Sequence, residues 1–128
     1  MPTPGHAPDC FICGFLGIEV DVADGRAVAD LLLDSRFTGP AAFAHGGITA
    51  ALFDKPLGAA VCGLTATALT AHLEVDYRRP WPIGAPARMT AQAAWSGERK
   101  IAATAELVGA DGTVLAESRG LWVVARGS

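Results

Sequence analysis

The sequence predicts an α+β fold in which one antiparallel sheet of about six strands wraps around a central buried helix. Two segments with strand-like alternation precede one long apolar segment, and four more follow it. Residues from Gly46 to about Leu64 are small or apolar on all sides at helical length, which is typical of a buried helix. Short turns join most of the strands, so an antiparallel sheet is the simplest structure that buries this helix.

The first two strands form a predicted hairpin. Ile18, Val20 and Val22 alternate with acidic residues, and the pair Asp24-Gly25 is a tight-turn signal. The alternation then resumes in a second strand, whose apolar positions are Ala27, Ala29, Leu31 and Leu33.

Four strands are predicted after the helix, and each has one apolar face. They cover residues 72–77, 87–95, 101–107 and about 113–124. A Pro- and Gly-rich break, the turn at Ser96-Gly97-Glu98 and the pair Asp111-Gly112 separate them. In the last strand the alternation slips around Ser118 to Gly120, which is the pattern of a β-bulge.

Length and composition bound the function classes. A chain of 128 residues predicts one domain, 1–128, in which residues 1–15 form an N-terminal segment without an assigned role. The net charge of −3 argues against a nucleic-acid partner. The N-terminus lacks the pattern of a signal peptide and no apolar run reaches membrane-spanning length, so we expect a soluble, cytoplasmic protein without a membrane partner.

Three cysteines, an odd number, do not suggest a disulfide framework. Cys10 and Cys13 could bind zinc together with His6, but a fourth ligand would have to come from Asp9 or another chain. A lone Cys-x-x-Cys is a weak signal, so the sequence predicts no metal site.

Asp54 stands in the apolar helical segment, where an unpartnered carboxylate costs several kcal/mol. Two interpretations follow. Asp54 either ends the helix at a bend before Pro56, neutralised by Lys55 and backbone groups, or it faces a water-filled cleft.

Gly46 and Gly47 open the same helix. A helix N-terminus offers unpaired N–H groups and the positive end of a dipole, which suits a negatively charged oxygen of a ligand or a reaction intermediate. The alternative is that two glycines only allow a tight loop entry. His45, directly before them, could serve as a general base because histidine titrates near neutrality.

Several motifs together carry a family resemblance that covers nearly the whole chain. They are Gly39-Pro40, Ala44-His45-Gly46-Gly47, Asp54 nine residues after His45, Thr70, Val75-Asp76-Tyr77, Arg79-Pro80 and Pro82-Ile83-Gly84. In these motifs the chain resembles the hotdog-fold acyl-CoA thioesterases of the phenylacetate-degradation (PaaI-like) type. The resemblance implies a hotdog fold and a thioester hydrolase without a cofactor.

The resemblance also implies roles for individual residues. Asp54 would be the general base or nucleophile, and the Gly46 amide, assisted by Gly47, would polarise the thioester carbonyl. His45 would belong to the substrate-binding residues, where it would hold the glycine loop by hydrogen bonds rather than act as a base. Thr70 would position the attacking water, although threonine is also a common first residue of a strand.

We expect the substrate to be an acyl-CoA. Its phosphates would meet basic side chains at the mouth of a cleft. The candidates are Arg78, Arg79, Arg99 and Lys100. The acyl group would contact Phe43, Phe53, Leu57 and Trp81, whose aromatic members favour medium or aryl acyl chains.

The site is expected to lie between two chains of a homodimer or dimer of dimers. Gly46 and Asp54 are eight residues apart, about 12 Å along a helix. Asp54 would therefore miss the Gly46 amide of its own chain and reach that of a partner across a twofold axis. Two rival functions are a noncatalytic acyl-CoA or lipid-binding module and a hydratase or dehydratase, for which the usual motif is absent.

Overall fold

Six antiparallel strands and one long helix make up the described part of the chain, residues 20–65 and 67–125 of this computed structural model. The order across the sheet is β1-β2-β4-β5-β6-β3. This architecture confirms the predicted sheet wrapped around a helix. The elements are β1 (Asp21–Ala23), β2 (Arg26–Leu31), α1 (Gly46–Cys62), β3 (Ala68–Tyr77), β4 (Ala87–Trp95), β5 (Lys100–Gly109) and β6 (Val114–Val124).

The core lies between α1 and the inner face of the sheet. Leu52, Phe53 and Leu57 of the helix are at most 1% exposed, and they belong to one cluster with the buried residues of the strands. Burying one such side chain contributes roughly 1.5–3 kcal/mol. The strand residues are those that the alternation predicted, among them Ala27, Ala29, Leu31, Met89, Ile101 and Leu107.

The turn between β1 and β2 is the predicted tight turn. Asp24 and Gly25 both have positive φ, 53° and 73°. Two consecutive residues with positive φ characterise the type I′ turn, whose twist matches that of the flanking strands. The Asp-Gly pair thus sets the hairpin register, in which Ala23 faces Arg26.

The predicted bulge at Ser118 to Gly120 is wrong, because both neighbouring strands pair continuously with these residues. Ser118 and Gly120 occupy inner-face positions, which is why the apolar alternation is interrupted there. A Cβ on Gly120 would lie 2.7 Å from the Trp122 ring, so only glycine fits beneath that ring. The register shifts elsewhere, between Thr70 and His72 of β3 and between Leu107 and Val108 of β5.

Helix α1 continues past Asp54 to Cys62, so Asp54 does not mark a helix exit. Pro56 lies inside the helix and is buried. Proline has no N–H to donate to the carbonyl of Leu52, but the helix is maintained on both sides of it. The interpretation of Asp54 as a carboxylate at the end of a helix is therefore wrong.

Strand β3 forms one edge of the described sheet and spans ten residues, against three for β1 at the other edge. Its side chains are largely exposed, and Leu69 is 68% exposed. A long, open edge strand is a template for pairing with another chain. Among the described residues, no helix is both long and apolar enough to cross a bilayer.

Candidate active site

The loop before α1 is held against the segment that follows β3. The Ala44 N–H donates to the Trp81 carbonyl at 2.7 Å, and the Ile83 N–H donates to the Ala42 carbonyl at 3.0 Å. Ala41 and Ala42 have φ of 56° and 62°, a left-handed conformation that alanine adopts only at a cost of roughly 1–2 kcal/mol each. Tertiary hydrogen bonds thus stabilise a strained loop that lies directly before the first residue of α1.

At the N-terminus of α1, His45 is the capping residue. Its Nδ1 accepts a hydrogen bond from the Gly47 N–H at 3.0 Å, and its carbonyl accepts from Ile48 and Thr49 at 3.0 and 3.2 Å. Because Nδ1 is an acceptor, the ring proton must lie on Nε2. Among the hydrogen bonds of the described residues, none uses the Gly46 N–H.

Tyr77 at the end of β3 reaches the same helix start. Its hydroxyl donates to the Gly46 carbonyl at 2.5 Å, and its side chain is 55% exposed. In the sequence, Tyr77 is one residue of a strand face and part of a family motif, and nothing local indicates a hydrogen bond to a residue 31 positions earlier. Sequence reasoning therefore missed it as a functional candidate.

Asp54 lies on the exposed side of α1 and has a raised pKa. The main cause is desolvation, whereas the nearby Thr70 hydroxyl and the charge of Lys55 lower the pKa. The carboxyl group reaches solvent in the single chain, but the surrounding protein atoms still displace part of its hydration shell. This combination of access to water and partial desolvation suits a general base.

The bulge at Ala71 turns the Thr70 side chain to the face of the sheet on which Asp54 lies. Leu73 is paired with Gly120 on the inner face of the sheet, so uninterrupted alternation would put Ala71 on that face and Thr70 outside. Because Ala71 is the extra residue between Thr70 and His72, Thr70 faces Trp122 on the inner side instead. The bulge thereby brings the predicted hydroxyl beside the predicted carboxylate.

The predicted phosphate-binding residues lie at two opposite ends of the sheet. Arg79 follows β3, and its backbone N–H donates to the Leu115 carbonyl near the start of β6. Arg99 and Lys100 are found where β5 begins, and the Arg99 guanidinium donates to the Val124 carbonyl at 2.7 Å. One chain therefore does not bring these three cations together. Arg78 forms an ion pair with Glu117 at 3.4 Å.

The aromatic and aliphatic candidates for the acyl pocket are mostly part of the core. Phe53 and Leu57 are 0% exposed and Trp81 is 3% exposed, so these side chains fill the interior of the single chain. Phe43 differs because it lies in the loop before α1 and is 36% exposed. Of the four, Phe43 is placed where a substrate could touch it without a rearrangement of the core.

Among the described residues, no group of three or more His, Cys, Asp or Glu side chains could hold a metal ion. Cys10, Cys13 and His6 lie outside the described residues. Cys62, at the end of α1, is an exposed free thiol.

A groove of about 620 Å³ crosses the outer face of the sheet. Arg26, Thr90, Glu106 and Arg119 are among its lining residues. These side chains lie on the face opposite α1, so the groove contains neither Gly46 nor Asp54.

A sequence comparison with protein families matches residues 41–116 to the thioesterase superfamily. The matched region includes the His45-Gly46-Gly47 motif, Asp54, Thr70 and Tyr77. Acyl-coenzyme A thioesterase THEM4 of Xenopus laevis is 44% identical over 46 residues, which is 36% of this chain. The aligned part is 21% of the length of that protein.

Solved structures share the fold over most of the chain. The PaaI protein of the E. coli phenylacetic acid degradation operon has a TM-score of 0.85 at 22% identity, over 94% of this chain and 88% of that one. A point mutant of the phenylacetic acid degradation protein PaaI of Thermus thermophilus has a TM-score of 0.82 at 25% identity, over 89% of this chain and 98% of that one. These similarities confirm the hotdog fold.

Proposed function

The chain belongs to the thioesterase superfamily, and from this premise we propose that it hydrolyses an acyl-CoA thioester to a free acid and coenzyme A. The observation that carries the proposal is that one helix presents both an amide at its N-terminus and, about two turns later, a partly desolvated carboxylate. Within the described part of the chain, the Gly46 N–H takes no part in the hydrogen bonds that satisfy its neighbours, and desolvation raises the pKa of Asp54.

The two groups suit the two requirements of thioester hydrolysis. The Gly46 N–H and the positive end of the α1 dipole would stabilise the negative charge that develops on the carbonyl oxygen. As the oxygen of a water molecule attacks the carbonyl carbon, Asp54 would take a proton from that water. Asp54 would then give the proton to the departing thiolate sulfur. Alternatively, the Asp54 carboxylate attacks the carbonyl carbon, the C–S bond breaks and coenzyme A leaves as the thiolate. Water then opens the resulting mixed anhydride to the free acid and the regenerated carboxylate, and its second proton goes to the thiolate. Thr70 would orient the carboxylate in either route.

The site is proposed to be shared between two copies of the chain. Gly46 and Asp54 are separated by about 12 Å along α1, too far to act on the same carbonyl within one chain. Asp54 lies near Thr70 at the start of β3, whereas Gly46 is hydrogen-bonded to Tyr77 at the end of that strand. Antiparallel pairing of β3 with a second β3 would place the start of one strand beside the end of the other. Such a dimer brings Asp54 of one chain towards Gly46 of its partner.

The same pairing would assemble the cationic residues. Arg79 lies at the Tyr77 end of β3, and Arg99 and Lys100 lie near the opposite end of the sheet. A twofold axis across β3 would therefore bring Arg79 of one chain near Arg99 and Lys100 of the other. This arrangement is suited to the phosphates of coenzyme A, and the similarity to an enzyme named acyl-coenzyme A thioesterase supports that substrate class.

The test is thiol release from short, medium, long and aryl acyl-CoAs by the unaltered chain and by Asp54→Asn. We expect turnover on at least one substrate and a loss of kcat of about 100-fold or more in the variant, as for removal of a catalytic base. Asp30→Asn is the matched control, because Asp30 is a carboxylate on the outer face of the sheet, paired with Arg88 at 2.7 Å.

The outcomes separate the candidate functions. If Asp54→Asn and Asp30→Asn retained equal turnover, Asp54 would not be the base. If the unaltered chain bound acyl-CoA but released no thiol from any substrate, hydrolysis would be excluded and a noncatalytic acyl-CoA-binding module would replace it.

A further inference from the structure

The hydroxyl of Tyr77 joins the end of the edge strand β3 to the first residue of α1. It donates to the Gly46 carbonyl oxygen at 2.5 Å. The aromatic ring lies against the same residue, since a Cβ built on Gly46 would be 3.6 to 3.8 Å from atoms of the Tyr77 ring and hydroxyl. Tyr77 is the one tyrosine of the sequence, so its hydroxyl can be removed without affecting another phenol.

The peptide group between Gly46 and Gly47 is held at both ends. Its carbonyl oxygen accepts from Tyr77, and its N–H donates to Nδ1 of His45 at 3.0 Å. Two successive glycines allow many backbone conformations, because neither carries a Cβ. Fixing both polar atoms of the peptide between them removes most of that freedom.

The preceding peptide group, between His45 and Gly46, is held at one end. The His45 carbonyl accepts from the N–H groups of Ile48 and Thr49, and the Gly46 N–H forms the other end of the same plane. With the peptides on both sides of the Gly46 Cα restrained, the direction of the Gly46 N–H is restrained as well. Pre-oriented donors of this kind stabilise an oxyanion without reorganisation during the reaction.

We propose that Tyr77 is a positioning residue that aims the Gly46 amide at the carbonyl oxygen of the thioester. The inference rests on the proposed hydrolase function and adds a residue that acts through the backbone rather than on the substrate. Because Tyr77 belongs to β3, the edge strand that a second chain would pair with, it also couples the oxyanion amide to the proposed dimer edge.

The experiment is Tyr77→Phe in the full chain, which removes the hydroxyl and keeps the ring against Gly46. We expect kcat to fall about tenfold, equivalent to about 1.4 kcal/mol of transition-state stabilisation, with KM changed by less than about threefold. An S-alkyl-CoA thioether has no carbonyl oxygen to meet the amide, so its dissociation constant should be the same for both proteins. Thr104→Val, which removes an exposed hydroxyl from β5, is the matched control and should keep the original kcat.

A second measurement does not depend on turnover. In protein labelled with ¹⁵N-glycine, Tyr77→Phe should lower the backbone order parameters of Gly46 and Gly47 and leave those of Gly97 and Gly112 unchanged. Unchanged order parameters at Gly46 and Gly47 would overturn the positioning role, whatever the substrate.

The two proposals can fail separately. If the unaltered chain hydrolyses acyl-CoA and Tyr77→Phe has the same kcat, the inference about Tyr77 is wrong and the hydrolase stands. If Tyr77→Phe weakens thioether binding as much as it lowers kcat, Tyr77 is a structural residue and its positioning role is wrong. If no acyl-CoA is hydrolysed but Gly46 and Gly47 lose order, the restraint of the Gly46 peptide by Tyr77 is supported and the hydrolase function is wrong.

Discussion

Asp54 has an environment unlike that of the other carboxylates with shifted pKa values in the described chain. Desolvation is the largest influence on it and raises its pKa, whereas hydrogen bonds dominate and lower the pKa values of Asp30, Asp34 and Asp111. A raised pKa means that the folded protein holds the proton of Asp54 more tightly than the unfolded chain does. Folding is therefore opposed by the ionised form of this side chain.

The destabilising effect of ionised Asp54 should appear in the pH dependence of stability. Asp54 contributes to stability below the unfolded pKa of about 3.9, and the contribution is lost as pH rises through the higher folded pKa. Asp54→Asn removes the ionisable group, so we expect its Tm to exceed that of the unaltered chain at pH 7. The difference should shrink towards zero as pH falls below about 4, measured by thermal unfolding across a pH series.

Asp30→Asn is the control, because we expect it to change Tm at pH 7 in the opposite direction. The hydrogen bond and charge of Arg88 lower the pKa of Asp30, so its ionised form favours folding and its contribution is lost as pH falls through the folded pKa. Its replacement should lower Tm at pH 7. If Asp54→Asn had a lower Tm than the unaltered chain at neutral pH, desolvation of the ionised Asp54 would not be what limits the stability of the folded chain.

At the scale of elements, β3 and β6 form the part of the sheet where small irregularities place the site. Ala71 shifts the register of β3 so that Thr70 faces inward, and Gly120 of β6 makes room for the Trp122 ring beside it. A bulge and an inner-face glycine both weaken a regular strand. Here the bulge turns Thr70 to the inner face, near Asp54, and Gly120 leaves room on that face for the Trp122 ring.

Gly120→Ala tests the packing of this region. The added Cβ would lie 2.7 Å from both the His72 carbonyl oxygen and the Trp122 ring. Neither neighbour is the end of a flexible side chain, so we expect a loss of roughly 1–3 kcal/mol in the free energy of unfolding. Chemical denaturation measures it.

Gly97→Ala is the matched control in the turn before β5. The nearest atom to its added Cβ is 3.7 Å away, an ordinary contact, so the free energy of unfolding should stay within about 0.5 kcal/mol. If both variants lost the same stability, the close packing of Gly120 against Trp122 would not be what the region depends on.

At the scale of the whole molecule, the proposed dimer makes each site depend on two chains. Gly46→Pro removes the amide hydrogen, and proline is well tolerated at the first helical position. His45 before it has φ of −62° and ψ of 134°, a conformation that residues before proline adopt. Gly46→Ala keeps the N–H and its Cβ would make only ordinary contacts with Tyr77, so it is the matched control.

Mixing the Gly46→Pro and Asp54→Asn chains should restore activity. Each variant alone should be inactive, but a mixed dimer would pair an intact Gly46 with an intact Asp54 at one of its two sites. After unfolding and refolding of an equal mixture, we expect about a quarter of the original activity by random assortment. A mixture as inactive as its components would show that the site does not combine these residues from different chains.

Local sequence patterns are enough to predict the architecture and the most prominent features of the candidate site. Alternation with a period of two, an apolar helical segment and two Asp-Gly turns are local patterns, and they led to the observed strands and helix. The motif from His45 to Gly47 and the isolated Asp54 were also visible, because an acidic residue in an apolar run is conspicuous without any structure.

Which side chains contact one another depends on the tertiary fold. Tyr77 bonds to Gly46 across 31 positions, Thr70 turns inward through a bulge that no local signal marks, and Phe53 is buried where a substrate contact was expected. Periodicity reports which face of an element is apolar, but contacts between elements depend on register and on the packing of the whole sheet against the helix. These contacts are long-range, and the sequence around each residue carries no record of its distant neighbour.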